Sequence, residues 1–198
     1  MSSPAGPSPV DPNNVMMTGE NSFIRYSPDG GKTQPDRASH WRVLWCPAGA
    51  GHVLFMRSTL TDGEARIWSD NPPVARWLQK EIESYLFPAF ADAATPVAPA
   101  AFTRSGGIDS RAAELVTAKD AEILLSWEDF LTPFVLNMPP GSANRPIGVF
   151  STFFPAKTAR ISLNGRVAAG TPYAEKRGER ESTSACLAWS ETWVKPGS

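Results

Sequence analysis

The stretch CLAWSETW, residues 186–193, places a carboxylate between two tryptophans. Side chains alternate between the two faces of a β-strand, so Trp189, Glu191 and Trp193 are predicted to share one face. Burial between two indoles would raise the pKa of the Glu191 carboxyl, because a desolvated site disfavours the charged form. A carboxyl group with a pKa near neutrality is suited to general acid–base catalysis. Glu191 is therefore the leading catalytic candidate, with Trp189 and Trp193 as substrate-binding residues.

Two other interpretations of the same stretch stay open. Glu191 could form an ion pair with an arginine of a neighbouring strand, or the whole face could meet solvent, and either role would be structural. Exposed tryptophans on both sides of a glutamate would also suit a sugar-binding platform. There the rings would stack on the sugar and the carboxylate would accept hydrogen bonds from its hydroxyl groups.

A catalytic site needs a second polar group near Glu191, and the sequence offers few. The candidates are Glu128, in SWEDF, and the two histidines of the chain, His40 and His52. Glu128 across a cavity from Glu191 would give a two-carboxylate site of the glycosidase type. Arg42 shares its predicted strand face with His40 and is the candidate for binding an anion or oxyanion.

The segment SHWRVLWC-PAGAG-HVLFMRSTL predicts a β-hairpin with its turn at PAGAG. The predicted register pairs Cys46 with His52, within reach of a thiol–imidazole hydrogen bond, and Trp45 with Val53. Trp45 then lies on the apolar face as a further substrate contact. The same register places His40 and His52 at distant points of the paired strands. The alternative for Cys46 is a small buried apolar side chain.

A charged segment, TPYAEKRGEREST, covers residues 171–183. Tyr173 and Arg177 could fold over a cavity mouth there and clamp a carboxylate or another polar ligand. Solvated surface charge is the simpler interpretation of such a run.

Known metal and cofactor motifs do not occur in the sequence. His-x-His, His-Glu-x-x-His and Cys-x-x-Cys spacings are missing, as are the Walker A and dinucleotide glycine patterns and the Gly-x-Ser-x-Gly elbow. We therefore expect no metal and no cofactor, which leaves carboxylate chemistry as the leading enzymatic option.

Short alternating segments joined by turns predict a mainly β fold. Asn164-Gly165 predicts a two-residue hairpin turn, and SDNPPVARWLQKEIESYLF predicts the one amphipathic helix. The pattern favours an antiparallel β-barrel with a lipocalin-like outline, or else a sandwich, although the lipocalin Gly-x-Trp signature is missing. We expect a flexible N-terminal tail over residues 1–20 and a single β-rich domain over residues 21–198.

The composition restricts the partners. With 19 basic and 20 acidic residues and no basic stripe, neither nucleic acid nor an anionic membrane surface is an expected partner. No apolar run approaches the roughly 20 residues needed to cross a bilayer. Two cysteines and the lack of a signal-like N-terminus predict a cytoplasmic protein. A homodimer stays open.

The sequence thus supports a small-molecule-binding barrel, metal- and cofactor-independent, acting by acid–base chemistry on a small, partly apolar or sugar-like substrate. Lyase, isomerase, hydratase and hydrolase reactions all fit. The alternatives are a ligand-binding module without catalysis and an interaction subunit that presents a tryptophan-rich surface.

Overall fold

A computed structural model describes residues 11–196 of the chain. It contains thirteen strands and a 15-residue helix, α1, over residues 72–86. The strands are β1 (Val15–Tyr26), β2 (Asp36–Trp45), β3 (Gly51–Arg57), β4 (Ala65–Ser69), β5 (Val97–Gly106), β6 (Arg111–Ala118), β7 (Glu122–Phe130), β8 (Phe134–Met138), β9 (Gly148–Leu163), β10 (Arg166–Val167), β11 (Ala174–Arg177), β12 (Arg180–Thr183) and β13 (Ala185–Val194).

Nine strands close into a barrel in the order β1-β2-β3-β4-β5-β6-β7-β9-β13 and back to β1. The predicted mainly β barrel is confirmed, and the sandwich alternative is wrong. The barrel is mixed rather than antiparallel, because β4 and β5 run parallel. Their connection contains α1, and a crossover of this kind returns the chain to the end of the sheet where the previous strand began.

The β2–β3 hairpin has a different register from the predicted one. His52 lies opposite Arg42, and Val53 lies opposite Trp41. The turn is tighter than expected and lies at the start of PAGAG, since the backbone groups of Cys46 and Gly49 hydrogen-bond to each other across Pro47 and Ala48. The predicted Cys46–His52 pair is therefore not formed. The Cys46 thiol instead donates to the Gly49 carbonyl at 3.2 Å.

The first strand begins earlier than the composition suggested. Residues 15–20, expected in a tail, form the first half of β1, and residues 1–10 of that tail lie outside the described residues. Met16 and Met17 explain the difference, because both side chains are buried. Apolar area removed from water stabilises this strand on the barrel despite the polar residues around it.

Helix α1 contains a π-helical segment in its middle. The α-helical turns of Pro72–Leu78 are followed by a π-helical stretch, Gln79–Glu83, and a last turn, Ser84–Leu86. A π turn holds more residues than an α turn and so changes which positions face inward. Glu83 is consequently fully buried, whereas Tyr85 in the following turn is half exposed.

Strand β13 contains a β-bulge at Ser190. Between the pairs Trp189–Thr152 and Thr192–Phe150, β13 has two residues where β9 has one. Ser190 has a φ of 54°, in the left-handed region. A bulge of this kind bends the strand and changes the direction of the side chains that follow it.

The bulge separates the two tryptophans that the sequence placed together. Leu187 and Trp189 pack on the apolar core inside the barrel. Glu191 and Trp193 line a pocket on its outer face. The predicted shared face of Trp189, Glu191 and Trp193 is therefore wrong in its first member, because strict alternation ends at Ser190.

Ser190→Gly should stabilise the protein by about 0.5–1 kcal/mol, because the left-handed conformation disfavours residues with a Cβ atom. Urea unfolding of both proteins measures the difference. Ser105 is an exposed residue of β5 with an ordinary φ, so Ser105→Gly is the matched control and should destabilise. A loss of stability in Ser190→Gly comparable to that of the control would contradict the assigned bulge.

Apolar side chains pack in two main layers. One fills the barrel interior and includes Trp68 and Trp127. The other lies between α1 and the outer face of the sheet and includes Trp41 and Trp193. No helix within residues 11–196 has the length and apolar character required to cross a lipid bilayer.

Candidate functional site

A pocket of about 340 Å³ opens on the outer face of the barrel, between β1, β2, β8, β9, β13 and the end of α1. Its apolar wall includes Phe23, Leu136, Phe153 and Trp193. Pockets of this size and character hold small organic molecules in other proteins.

Glu191 lies in this pocket as a nearly buried carboxyl, 3% exposed. Its Oε2 accepts a hydrogen bond from the Trp193 indole Nε1 at 2.9 Å. Burial raises the pKa of Glu191 to about 8, although that hydrogen bond acts in the opposite direction. The carboxyl is consequently protonated for the most part at pH 7.

Four arginines line the same pocket: Arg25, Arg37, Arg145 and Arg177. Arg25 and Arg177 share one carboxylate, that of Glu175, with N–O distances of 2.8 and 3.2 Å. The arginines come from β1, β2, β11 and the turn before β9. The fold therefore gathers four guanidinium groups in a pocket that also has aromatic walls, and that of Arg25 lies 5.1 Å from the centre of the Phe23 ring.

Arg37 is held by a buried carboxylate behind the pocket. Its guanidinium lies 3.6 Å from Glu83 Oε1. The other carboxylate oxygen accepts hydrogen bonds from Ser39 Oγ at 3.1 Å and Trp41 Nε1 at 2.9 Å. Burial raises the pKa of Glu83, while Arg37 and these two donors lower it. Glu83 therefore positions the Arg37 guanidinium. Glu83 lies in the π-helical segment, and its side chain is fully buried.

The predicted histidines lie on the inward face of the barrel. His40 and His52 stack with ring centroids 6.1 Å apart, and Phe102 stacks on both. The expectation that the histidines lie far apart is wrong, because the observed register places them diagonally on adjacent strands. His40 Nε2 lies 3.5 Å from Glu114 Oε1. Burial holds the pKa of His40 well below its usual value, and Arg104 acts in the same direction.

An ion network surrounds these rings. Arg104 contacts Glu114 at 3.0 Å and Glu20 at 2.6 Å, and Glu20 lies 3.7 Å from Arg42. His52 is bound to Asp70 at 2.7 Å. Arg42 belongs to this network on the inward face of the barrel and does not line the pocket of Glu191.

The remaining predicted site residues do not meet Glu191 either. Glu128 forms a partly exposed ion pair with Arg111 at 3.1 Å. The Tyr173 hydroxyl accepts a hydrogen bond from Gln34 at 2.9 Å. Trp45 is 51% exposed at the end of β2.

Of the predicted residues, the structure therefore brings Glu191 and Trp193 together and adds Arg177 from the charged segment. That segment forms a hairpin of β11 and β12. The sugar-binding platform is not formed, because Trp193 is buried and Trp189 lies on the opposite face of the sheet. Arg25, Arg37 and Arg145 were not predicted, since no local pattern connects positions so far apart in the chain.

Within residues 11–196 no group of three or more histidine, cysteine, aspartate or glutamate side chains is arranged to hold a metal ion. Both cysteines are free and buried. No protein family, curated protein or solved structure matches this chain.

Proposed function

We propose that the outer pocket binds a small, partly apolar molecule and that Glu191 acts on it as a general acid. One observation carries this proposal: a buried carboxyl with a pKa of about 8 lines an open pocket with aromatic walls. Carboxyl groups kept protonated by burial donate protons or hydrogen bonds in known acid–base enzymes. The reaction would belong to the cofactor-independent lyases, isomerases, hydratases or hydrolases.

The arginines would assist by electrostatics. Guanidinium groups stay protonated at neutral pH, so they bind and stabilise negative charge but do not transfer protons. A proton moved from Glu191 to the substrate would leave an ionised carboxylate in the same pocket as these cations. The arginines would also stabilise negative charge that develops on a substrate oxygen.

Non-catalytic binding is the second candidate. Among the described pocket residues, Glu191 is the one carboxyl group, and its pKa is raised toward neutrality. His40, His52 and Glu128 lie elsewhere, and acid–base reactions commonly use two groups. An interaction subunit has less support, because Trp45 alone among the seven tryptophans is more than half exposed. The cytoplasmic location and the homodimer stay predictions.

Glu191→Gln separates the enzyme from the binder. The amide keeps an oxygen that can accept from Trp193 but cannot donate the acidic proton, so turnover should fall by about 10²-fold or more while ligand affinity changes little. Binding of indole and benzyl alcohol can be followed at the Trp193 indole N–H by NMR. The control signal is the Trp68 N–H, because Trp68 packs in the barrel interior and does not line this pocket. Turnover can be followed by mass spectrometry of a metabolite extract.

Consumption of a metabolite by the wild type but not by the Glu191→Gln variant would support the enzyme. Binding at Trp193 with no consumption by either protein would support the binder. If neither these neutral probes nor an anionic one such as octanoate perturbed the Trp193 signal, the outer pocket would not be a binding site and the proposal would be wrong.

A further inference from the structure

The outer pocket carries more positive than negative charge. Four arginines line it, and two carboxylates balance them from behind, Glu175 for Arg25 and Arg177, and Glu83 for Arg37. Glu191 adds little negative charge at pH 7, since its pKa is about 8. Four cations against two anions leave a surplus of about two positive charges at this pocket among the described residues.

Arg145 is the most poorly compensated of these cations. Its contact among the described residues is a weak one, from the guanidinium to the Met138 sulfur at 3.5 Å, and no carboxylate there pairs with it. Burial lowers its pKa, and the neighbouring Arg177 lowers it further by like-charge repulsion. A half-buried cation in this setting is costly unless an anion joins it.

Other hydrogen-bond donors of the pocket arginines also have no partner among the described residues. Nε of Arg25, Arg37 and Arg177 is buried and has no hydrogen-bond partner. Arg37 is more than nine-tenths buried. Buried donors of this type are normally satisfied, so unpaired ones at a pocket wall indicate where a ligand or water would bind.

We infer that the ligand of the outer pocket carries an anionic oxygen group, a carboxylate or a phosphate, bound by Arg145 and the neighbouring arginines, with an apolar body against Phe153 and Trp193. Guanidinium groups match both anions through paired hydrogen bonds. This inference rests on the proposed binding function and adds the chemical class of the ligand. It also explains why arginine and aromatic side chains line the same pocket.

Isothermal titration calorimetry with octanoate, octyl phosphate and octanol tests the inference on the full chain. We expect octanoate or octyl phosphate to bind at least about tenfold more tightly than octanol, which corresponds to about 1.4 kcal/mol. The two anions distinguish a carboxylate from a phosphate ligand. Their affinity should fall as salt concentration rises, whereas that of octanol should not fall.

Arg145→Gln should weaken binding of the preferred anion about tenfold and leave the affinity for octanol unchanged. Arg145→Lys should restore part of the lost affinity. Arg166→Gln, an exposed arginine of β10, is the matched control and should bind as the wild type does. Circular dichroism of each variant verifies folding. Trp193 N–H shifts verify the site.

The outcomes separate this inference from the proposed function. If octanol binds at Trp193 as tightly as both anions, the pocket binds ligands, but the inference that its ligand carries an anionic group is wrong. If anions bind better but Arg145→Gln matches Arg166→Gln, Arg145 is not part of the anion site and the inference is overturned. If no probe reaches Trp193, both the inference and the proposed function fail.

Discussion

Glu83→Gln should destabilise the protein by about 3–5 kcal/mol, because removing one partner of a buried ion pair leaves the other charge uncompensated. Arg37 is the charge left behind, 8% exposed beneath the pocket. The amide retains one oxygen acceptor for Trp41 or Ser39, so most of the loss should come from the unpaired guanidinium. Urea unfolding at pH 7 measures the change in the free energy of unfolding.

Glu81→Gln is the matched control for this substitution. Glu81 lies on the same helix and pairs with the exposed Lys80 at 3.0 Å. Its loss should change stability by less than about 0.5 kcal/mol, as for other surface pairs. The double variant Arg37→Met/Glu83→Met should recover much of the loss, since it leaves no unpaired charge. A Glu83→Gln variant as stable as Glu81→Gln would show that Arg37 does not need this partner.

Glu191→Gln should be more stable than the wild type, by a margin that grows with pH. Below about pH 4.5 the carboxyl is protonated in both the folded and the unfolded state, so the two proteins should be similar. Between pH 4.5 and about 8 only the unfolded state ionises, which favours unfolding of the wild type by up to about 1.4 kcal/mol per pH unit. Glutamine does not ionise. The advantage of the variant should reach about 4–5 kcal/mol near pH 8 and then level off.

Urea unfolding at pH 5, 7 and 9 measures this margin. Other buried acids, Glu83 and Glu114 among them, titrate in both proteins, so the difference between the two curves isolates Glu191. A margin that is independent of pH would mean that the Glu191 carboxyl titrates as it does in the unfolded chain.

The barrel and its helix could be predicted from sequence because their signals are local. Alternation and turn residues predict strands, as at Asn164-Gly165, where both residues have positive φ and β9 pairs with β10 across the turn. The parallel β4–β5 pair could not be predicted, because it depends on where α1 delivers the chain. The hairpin register failed by four residues at the 46–50 turn, an even shift that kept the faces of β2 and β3.

The candidate site was only partly predictable. Strand alternation placed Glu191 and Trp193 on one face but did not decide whether that face is buried. The bulge at Ser190, which moves Trp189 to the other face, has no strong sequence signal. The π-helical segment that buries Glu83 likewise has no strong signal in the sequence. The grouping of the four pocket arginines depends on long-range strand pairing and on the β11–β12 hairpin. Its residues carry no periodicity that a single sequence would reveal.

We propose that Glu191 is a protonated acid at neutral pH in a ligand-binding pocket. Infrared difference spectra between the wild type and Glu191→Gln, recorded across a pH series, report directly on the protonated carboxyl band of that residue. We expect this band to be present at pH 7 and to disappear with a midpoint of about pH 8. A carboxyl already ionised at pH 6 would rule out this role for Glu191.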